Sequence, residues 1–238
     1  MIFGFLKIIL KLFTSIRFER INIMRMRRKK HGAERLFACG DVILPEGIAD
    51  PSALFGRNAP LHVEIGCGKG DFICGTAEKN PGTDFIAIER IPDVLMLAAE
   101  KVKEKGLSNV RLAVMNAADL MNRLPAHSVE RIYLNFSDPW PKKGYAKRRL
   151  THRGFLQIYR GILAPGGGIY MKTDDNALFE FSLEELPACG FAVTDVTRDL
   201  HESGYASDNV MTEYERNFSA QGKKINMLRA VMKEDGNE

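Results

Sequence analysis

Residues 133–150, YLNFSDPWPKKGYAKRRL, gather one carboxylate, two prolines, the sole tryptophan and a dense cluster of Lys and Arg behind an apolar run. That order predicts a strand, a rigid polar turn, a cationic arm and then a helix. A turn leaving the carboxyl end of a strand is where open α/β sheets place their ligands. Asp138 is therefore the candidate reactive-centre residue. The bland alternative is a proline-stiffened surface loop with solvated charges, and the residues around it decide between the two.

A second chemical signal lies at 64–70, EIGCGKG, with glycines at Gly66, Gly68 and Gly70. A dinucleotide fingerprint would read G-x-G-x-x-G without a carboxylate inside the strand. A dinucleotide lays its pyrophosphate on a helix N-terminus, and Glu64 beside it would be repulsive. S-adenosylmethionine instead carries an ammonium and a sulfonium, so Glu64 beside that ligand makes electrostatic sense. Glu89, at the end of the next apolar run, is placed to accept both hydroxyls of an adenosine ribose. Asn116, in MNAADL, could bond an adenine edge, with Asp119 capping the helix that follows. Three successive strand ends with a suitable polar group favour a methyl-donor site over a generic nucleotide site.

The elements that must hold these groups can be read from periodicity. Strands are predicted at 61–66, 84–88, 110–115, 129–134, 169–172, 190–196 and 225–232, and helices at 91–105, 155–163, 177–186 and 212–220, with a further helical run to Ala77. The run APGGG at 164–168 reads as a turn that stops the preceding helix. Alternation of strands and helices means an α/β protein with an open, mostly parallel sheet covered on both faces.

Composition sets the outer limits. With 238 residues and 45% hydrophobic content the chain can bury one substantial core. The formal charge of +4 is modest, but basic blocks at 17–35 and 142–149 stand against an acidic stretch at 174–185, which fits a polyanionic partner. Cys39, Cys67, Cys74 and Cys189 have neither CxxC spacing nor a histidine cluster, so neither a disulfide framework nor a metal site is expected. Residues 1–23 form an atypical extension. Its apolar run is interrupted by Lys7 and Lys11 and falls short of the ~20 residues of a membrane span. A start at Met24 or Met26 is preferred over an amphipathic membrane-surface helix, and no stable membrane association is expected. The expected division is 1–23 as the extension, 24–56 as a basic arm with an N-terminal helix, and 57–238 as the catalytic domain, in a cytoplasmic protein.

With those residues in place, EIGCGKG, IER, LNFSDPWPKK followed by KRRL, MKTDD and MTEYE resemble the bacterial tRNA (guanine-N7)-methyltransferase family, from about Met24 nearly to the C-terminus. The resemblance implies the class I S-adenosylmethionine-dependent methyltransferase fold, a Rossmann-like seven-stranded sheet with the last strand antiparallel. It implies that S-adenosylmethionine is held by Glu64, Glu89, Asn116 and Asp138 around Gly66 and Gly68, and that Asp138 also takes the active-site position. It places Lys142, Asp174, Thr212, Glu213, Tyr214 and Glu215 at the substrate. Gly144, Tyr145, Ala146, Lys147, Arg148 and Arg149 would face tRNA, whose position-46 guanosine in the variable loop is the family's usual target. This chain departs from the commoner pattern in having Asn116 where aspartate is frequent. It also has Gly144, Tyr145 and Ala146 in place of a more basic, histidine-bearing stretch.

The chemistry agrees with that implication. Guanine N7 has a free lone pair, so attack on a sulfonium methyl needs no prior deprotonation, and catalysis should rest on in-line positioning and stabilisation of the cationic purine. Asp174 and Glu215 are suitable acceptors for guanine N1–H and N2–H. Lys142 would hold O6 or a phosphate, and Lys147, Arg148 and Arg149 the backbone. Trp140, between two prolines, reads as a packing wedge rather than a base-stacking platform, and His62, His127, His152 and His201 read as scattered, satisfied side chains. Two other readings stand beside this one: a class I methyltransferase acting on another RNA base, and an RNA-binding protein with a vestigial donor site. Intact Glu64, Glu89 and Asp138 argue against the second.

Overall fold

The computed structural model describes residues 30–47 and 50–233. The expectations for 1–23 and for most of the basic arm lie outside the described residues. The sheet has seven strands, β1 (Leu61–Ile65), β2 (Asp84–Glu89), β3 (Val110–Val114), β4 (Val129–Asn135), β5 (Leu163–Thr173), β6 (Phe191–Thr197) and β7 (Asn226–Met232), in spatial order β3-β2-β1-β4-β5-β7-β6. The first five run parallel, and β7 is antiparallel to both of its neighbours.

Every residue of β1 and all but the last of β2 are buried, as near-continuous apolar runs require when both faces of a parallel sheet are covered. Alternate residues of β2 serve opposite layers. Phe85 and Ala87 pack with α3 (Asp71–Lys79) and α4 (Pro92–Glu104), whereas Ile86 and Ile88 join the core that includes α5 (Arg153–Ile162) and α6 (Asn176–Ala188). Two short helices precede the sheet in the chain, α1 (Gly32–Phe37) and α2 (Pro51–Phe55), and α7 (Glu213–Ser219) precedes β7.

Two local expectations are corrected. The APGGG run is not a free turn: β5 begins at Leu163, opposite Val129, and a register shift between Val129 and Arg131 takes up the added residues before Gly168 pairs with Arg131. Arg35, counted in the first basic block, is not a bare cation: its half-exposed guanidinium makes a two-pronged contact with Glu100 of α4 at 2.7 Å each. No helix among the described residues is long and apolar enough to cross a membrane.

Candidate active site

Strand order reverses direction between β1 and β4, and the candidate residues lie at or beyond the carboxyl ends of β1 to β5 around that point. This is the crevice in which open α/β sheets bind ligands. Glu64, in β1, is 1% exposed. Its Oε1 accepts a hydrogen bond of 3.0 Å from Asn135 Nδ2 of β4, while its Oε2 is buried with no partner. Burial pushes the carboxyl up to about 7, against the opposing pull of the Asn135 hydrogen bond and the Lys172 charge. An orphaned buried carboxylate oxygen is costly unless a cation completes it.

Gly66 and Gly68 adopt φ of +79° and +57°, and a Cβ at either would meet nothing within 4 Å. They are therefore not there for protein packing; they shape a turn that something else can approach closely. The Glu89 carboxylate spans that turn, accepting from Gly68 N at 3.3 Å and from Ile91 N at 2.9 Å. Asn116 is exposed, and its Oδ1 accepts from Ala118 N at 3.1 Å. Asn116, not Asp119, thus caps the short 3₁₀ helix Ala117–Asn122, because it is the residue with extended backbone just ahead of the first turn. The donor set fits a ligand with an ammonium, a sulfonium and a ribose: a partnerless acid, an open glycine turn and a second acid on the next strand.

Asp138 is exposed on the turn after β4. Phe136 and Trp140, on either side of it, both sit in the left-handed region at φ +52° and +44°, a conformation that costs non-glycine residues roughly 1–2 kcal/mol each. Arg149 is what holds the turn. Its Nε donates to Pro139 O at 3.0 Å and an NH2 nitrogen to Trp140 O at 3.1 Å, with the guanidinium 4.4 Å from the Phe181 ring centroid. At 9% exposure it faces inward, which corrects its assignment to the RNA surface. Lys142, Gly144, Tyr145, Lys147 and Arg148 are exposed, and Ala146 is half-buried, along the 3₁₀ segment Lys143–Arg148 and the residue before it. Trp140 packs edge-on to Tyr145, and Arg148 lies 4.9 Å from the ring centroid of each.

The MKTDD and MTEYE segments meet at a buried charge cluster. Glu215 is fully buried. Its Oε2 accepts from Lys172 Nζ at 2.7 Å and Thr212 N at 3.4 Å, its Oε1 accepts from Asn209 Nδ2 at 2.6 Å, and His201 Nε2 stands 3.2 Å away. With both oxygens engaged inside the protein, Glu215 offers no open acceptor here and serves as the inner half of a capping box with Thr212. Burial lowers the Lys172 ammonium, and the Glu215 carboxylate opposes that shift. A lysine inside the buried strand segment YMKT is the sequence signal for such a pair. Asp174 remains partly exposed just beyond β5, with Lys223 Nζ 3.5 Å away. Glu213 pairs with Lys69 of the glycine turn at 2.8 Å, and Tyr214 is 46% exposed.

A family model described as "Putative methyltransferase" matches residues 58–228. The tRNA (guanine-N(7)-)-methyltransferase of Geobacillus kaustophilus (strain HTA426) is 48% identical over 215 residues, covering 87% of this chain and 97% of that protein. The chain belongs to the tRNA (guanine-N(7)-)-methyltransferase family. Its member from Bacillus subtilis (strain 168) is 42% identical over 209 residues, covering 85% of this chain and 96% of that one. Solved structures show the same fold at lower identity. One described as "Structure of an Antibiotic Related Methyltransferase" superposes with a TM-score of 0.59 at 21% identity, covering 81% of this chain and 98% of its own. The 16S rRNA methyltransferase KamB gives 0.58 at 14% identity, covering 81% and 99%. The sheet of this family member is thus the class I methyltransferase sheet, with β7 as its antiparallel strand.

Proposed function

We propose that this protein transfers the methyl group of S-adenosylmethionine to N7 of a guanosine in tRNA, at position 46 of the variable loop, in the cytoplasm. The observation that carries the reading is the buried, partnerless Glu64 Oε2 at the strand-order reversal, in a chain 48% identical to a tRNA (guanine-N(7)-)-methyltransferase. When bound, S-adenosylmethionine supplies an electrophilic methyl on a sulfonium. Glu64 holds its ammonium, Gly66 and Gly68 let the backbone approach it, Glu89 takes the ribose hydroxyls and Asn116 the adenine edge.

The acceptor side follows from the same residues. Asp138, on the strained turn after β4, faces the reacting end and stabilises positive charge as it develops on the purine. Asp174 accepts from the guanine N1–H and N2–H edge, and Lys142 meets O6 or a phosphate. Lys147 and Arg148 grip the backbone alongside Gly144, Tyr145 and Ala146, and Thr212 and Glu213 set the start of α7 beside the base. No residue has to remove a proton, because N7 carries its lone pair throughout.

The test is methyl transfer from labelled S-adenosylmethionine to unmodified tRNA, followed by nucleoside analysis. The expected product is 7-methylguanosine, absent when the variable-loop guanosine is changed and lost at least 100-fold in Asp138→Ala, an effect of the size seen when a preorganised charge-stabilising group is removed. Methylation of another nucleoside, or none with the donor bound, would overturn the reading.

A further inference from the structure

We propose that Tyr214 is the aromatic platform on which the target guanine stacks, and that its ring stabilises the purine more strongly as methylation makes it cationic. The inference rests on the function proposed above and concerns how the same site recognises its base.

Tyr214 stands where the donor turn and the acceptor turn meet. Glu213 beside it pairs with Lys69 at 2.8 Å, and Arg216, one turn on, pairs with Asp71 at the start of α3, so the first turn of α7 is pinned to the glycine loop. On its other side the Tyr214 ring lies 5.2 Å from that of Phe136, two residues before Asp138. It also stacks on Phe218 at 4.2 Å and 27° between planes, and Lys223 Nζ sits 4.0 Å from the far ring's centroid. The result is a column of lysine, Phe218 and Tyr214 whose last ring is 46% exposed beside the reactive centre. Burial raises the Tyr214 phenol, and the Asp174 and Asp138 carboxylates raise it further, in keeping with a ring between the two acids. Phe136 and Phe218 cover part of the ring, and the residue, 46% exposed, keeps surface available to a base.

The chemistry gives the ring a charge-dependent task. The N7 lone pair forms the new C–N bond as the C–S bond breaks with its electrons remaining on sulfur, so one positive charge passes from the sulfonium to the purine. An aromatic face attracts a cation more than a neutral base, so the attraction grows along the reaction coordinate and binding is differential in favour of the transition state.

The decisive experiment keeps the shape of residue 214 and changes only its electrons. Phenylalanine and its mono-, di- and trifluorinated analogues are placed at position 214 of the full chain. Single-turnover methyl transfer to tRNA is then measured alongside affinity for unmethylated and N7-methylated tRNA. We expect the rate to fall with each fluorine, by roughly tenfold across the series, and the preference for methylated over unmethylated tRNA to shrink in step. Tyr214→Leu should lower kcat more than it raises the KM for tRNA, with S-adenosylmethionine affinity by calorimetry reporting that the donor site is intact. Rates and preferences that are flat across the fluorinated series in an otherwise active enzyme would overturn the proposal. A wild-type protein that methylates no tRNA guanosine would instead overturn the function on which it rests.

Discussion

Glu64 behaves unlike the usual surface carboxylate because its stability and its function pull in opposite directions. Its pKa is raised from 4.5 to about 7, so the folded chain holds a proton that the unfolded chain has lost. Its stabilising contribution is full below pH 4.5 and is lost as pH rises through 7, a swing of about 3 kcal/mol at the full shift. A cationic donor needs the ionised form, so donor affinity should rise with pH up to about 7 and then level off. Glu64→Gln is therefore expected to bind S-adenosylmethionine at least tenfold more weakly, the loss expected for a charge-assisted hydrogen bond. It should also lose the pH dependence below 7 and unfold at pH 8 at no lower urea concentration than wild type. Calorimetry across pH and urea denaturation check the two halves; undiminished affinity in the variant would remove Glu64 from the donor site.

At the scale of elements, the site depends on side chains that hold its turns in place. Lys172 of β5 and Glu215 of α7 form a buried pair that ties the loop before α7 to the sheet, with Lys172 Nζ also donating to Asn209 Oδ1 and Val210 O at 2.9 Å each. Removing one member leaves a buried charge unpaired, so Lys172→Met should cost ~3–5 kcal/mol in urea unfolding. Lys172→Met combined with Glu215→Gln should recover much of that; a loss below about 1 kcal/mol in the single variant would show that the pair is solvated. Arg149 plays the matching part for the other turn, clamping Pro139 and Trp140 while Asp138 faces outward. From sequence, Glu215 reads as a base acceptor and Arg149 as an RNA contact because residue type announces charge but not direction. The burial of each comes from elements distant in the chain: Phe181 of α6 covers Arg149, and Lys172, 43 residues away, meets Glu215.

For the whole molecule, the exposed lysines of the 142–148 segment mark one face for a polyanion. Lys142, Lys143 and Lys147 are exposed there, whereas Arg35 and Arg149 are engaged within the protein. Replacing those three lysines with alanine should weaken tRNA binding and reduce the slope of log affinity against log salt by roughly 2–3 units; an unchanged slope would put the RNA on another face. The seven strands, the glycine turn and the strand-end positions of Glu64, Glu89 and Asp138 were legible in the chain itself, because apolar period, glycine spacing and acids at strand ends are local properties that backbone geometry translates directly into position. Tertiary structure alone decided which charges are spent inside and which remain outside. The same lysine or arginine is a solvated contact or a buried strut according to what packs over it, and that covering is supplied by residues tens of positions away.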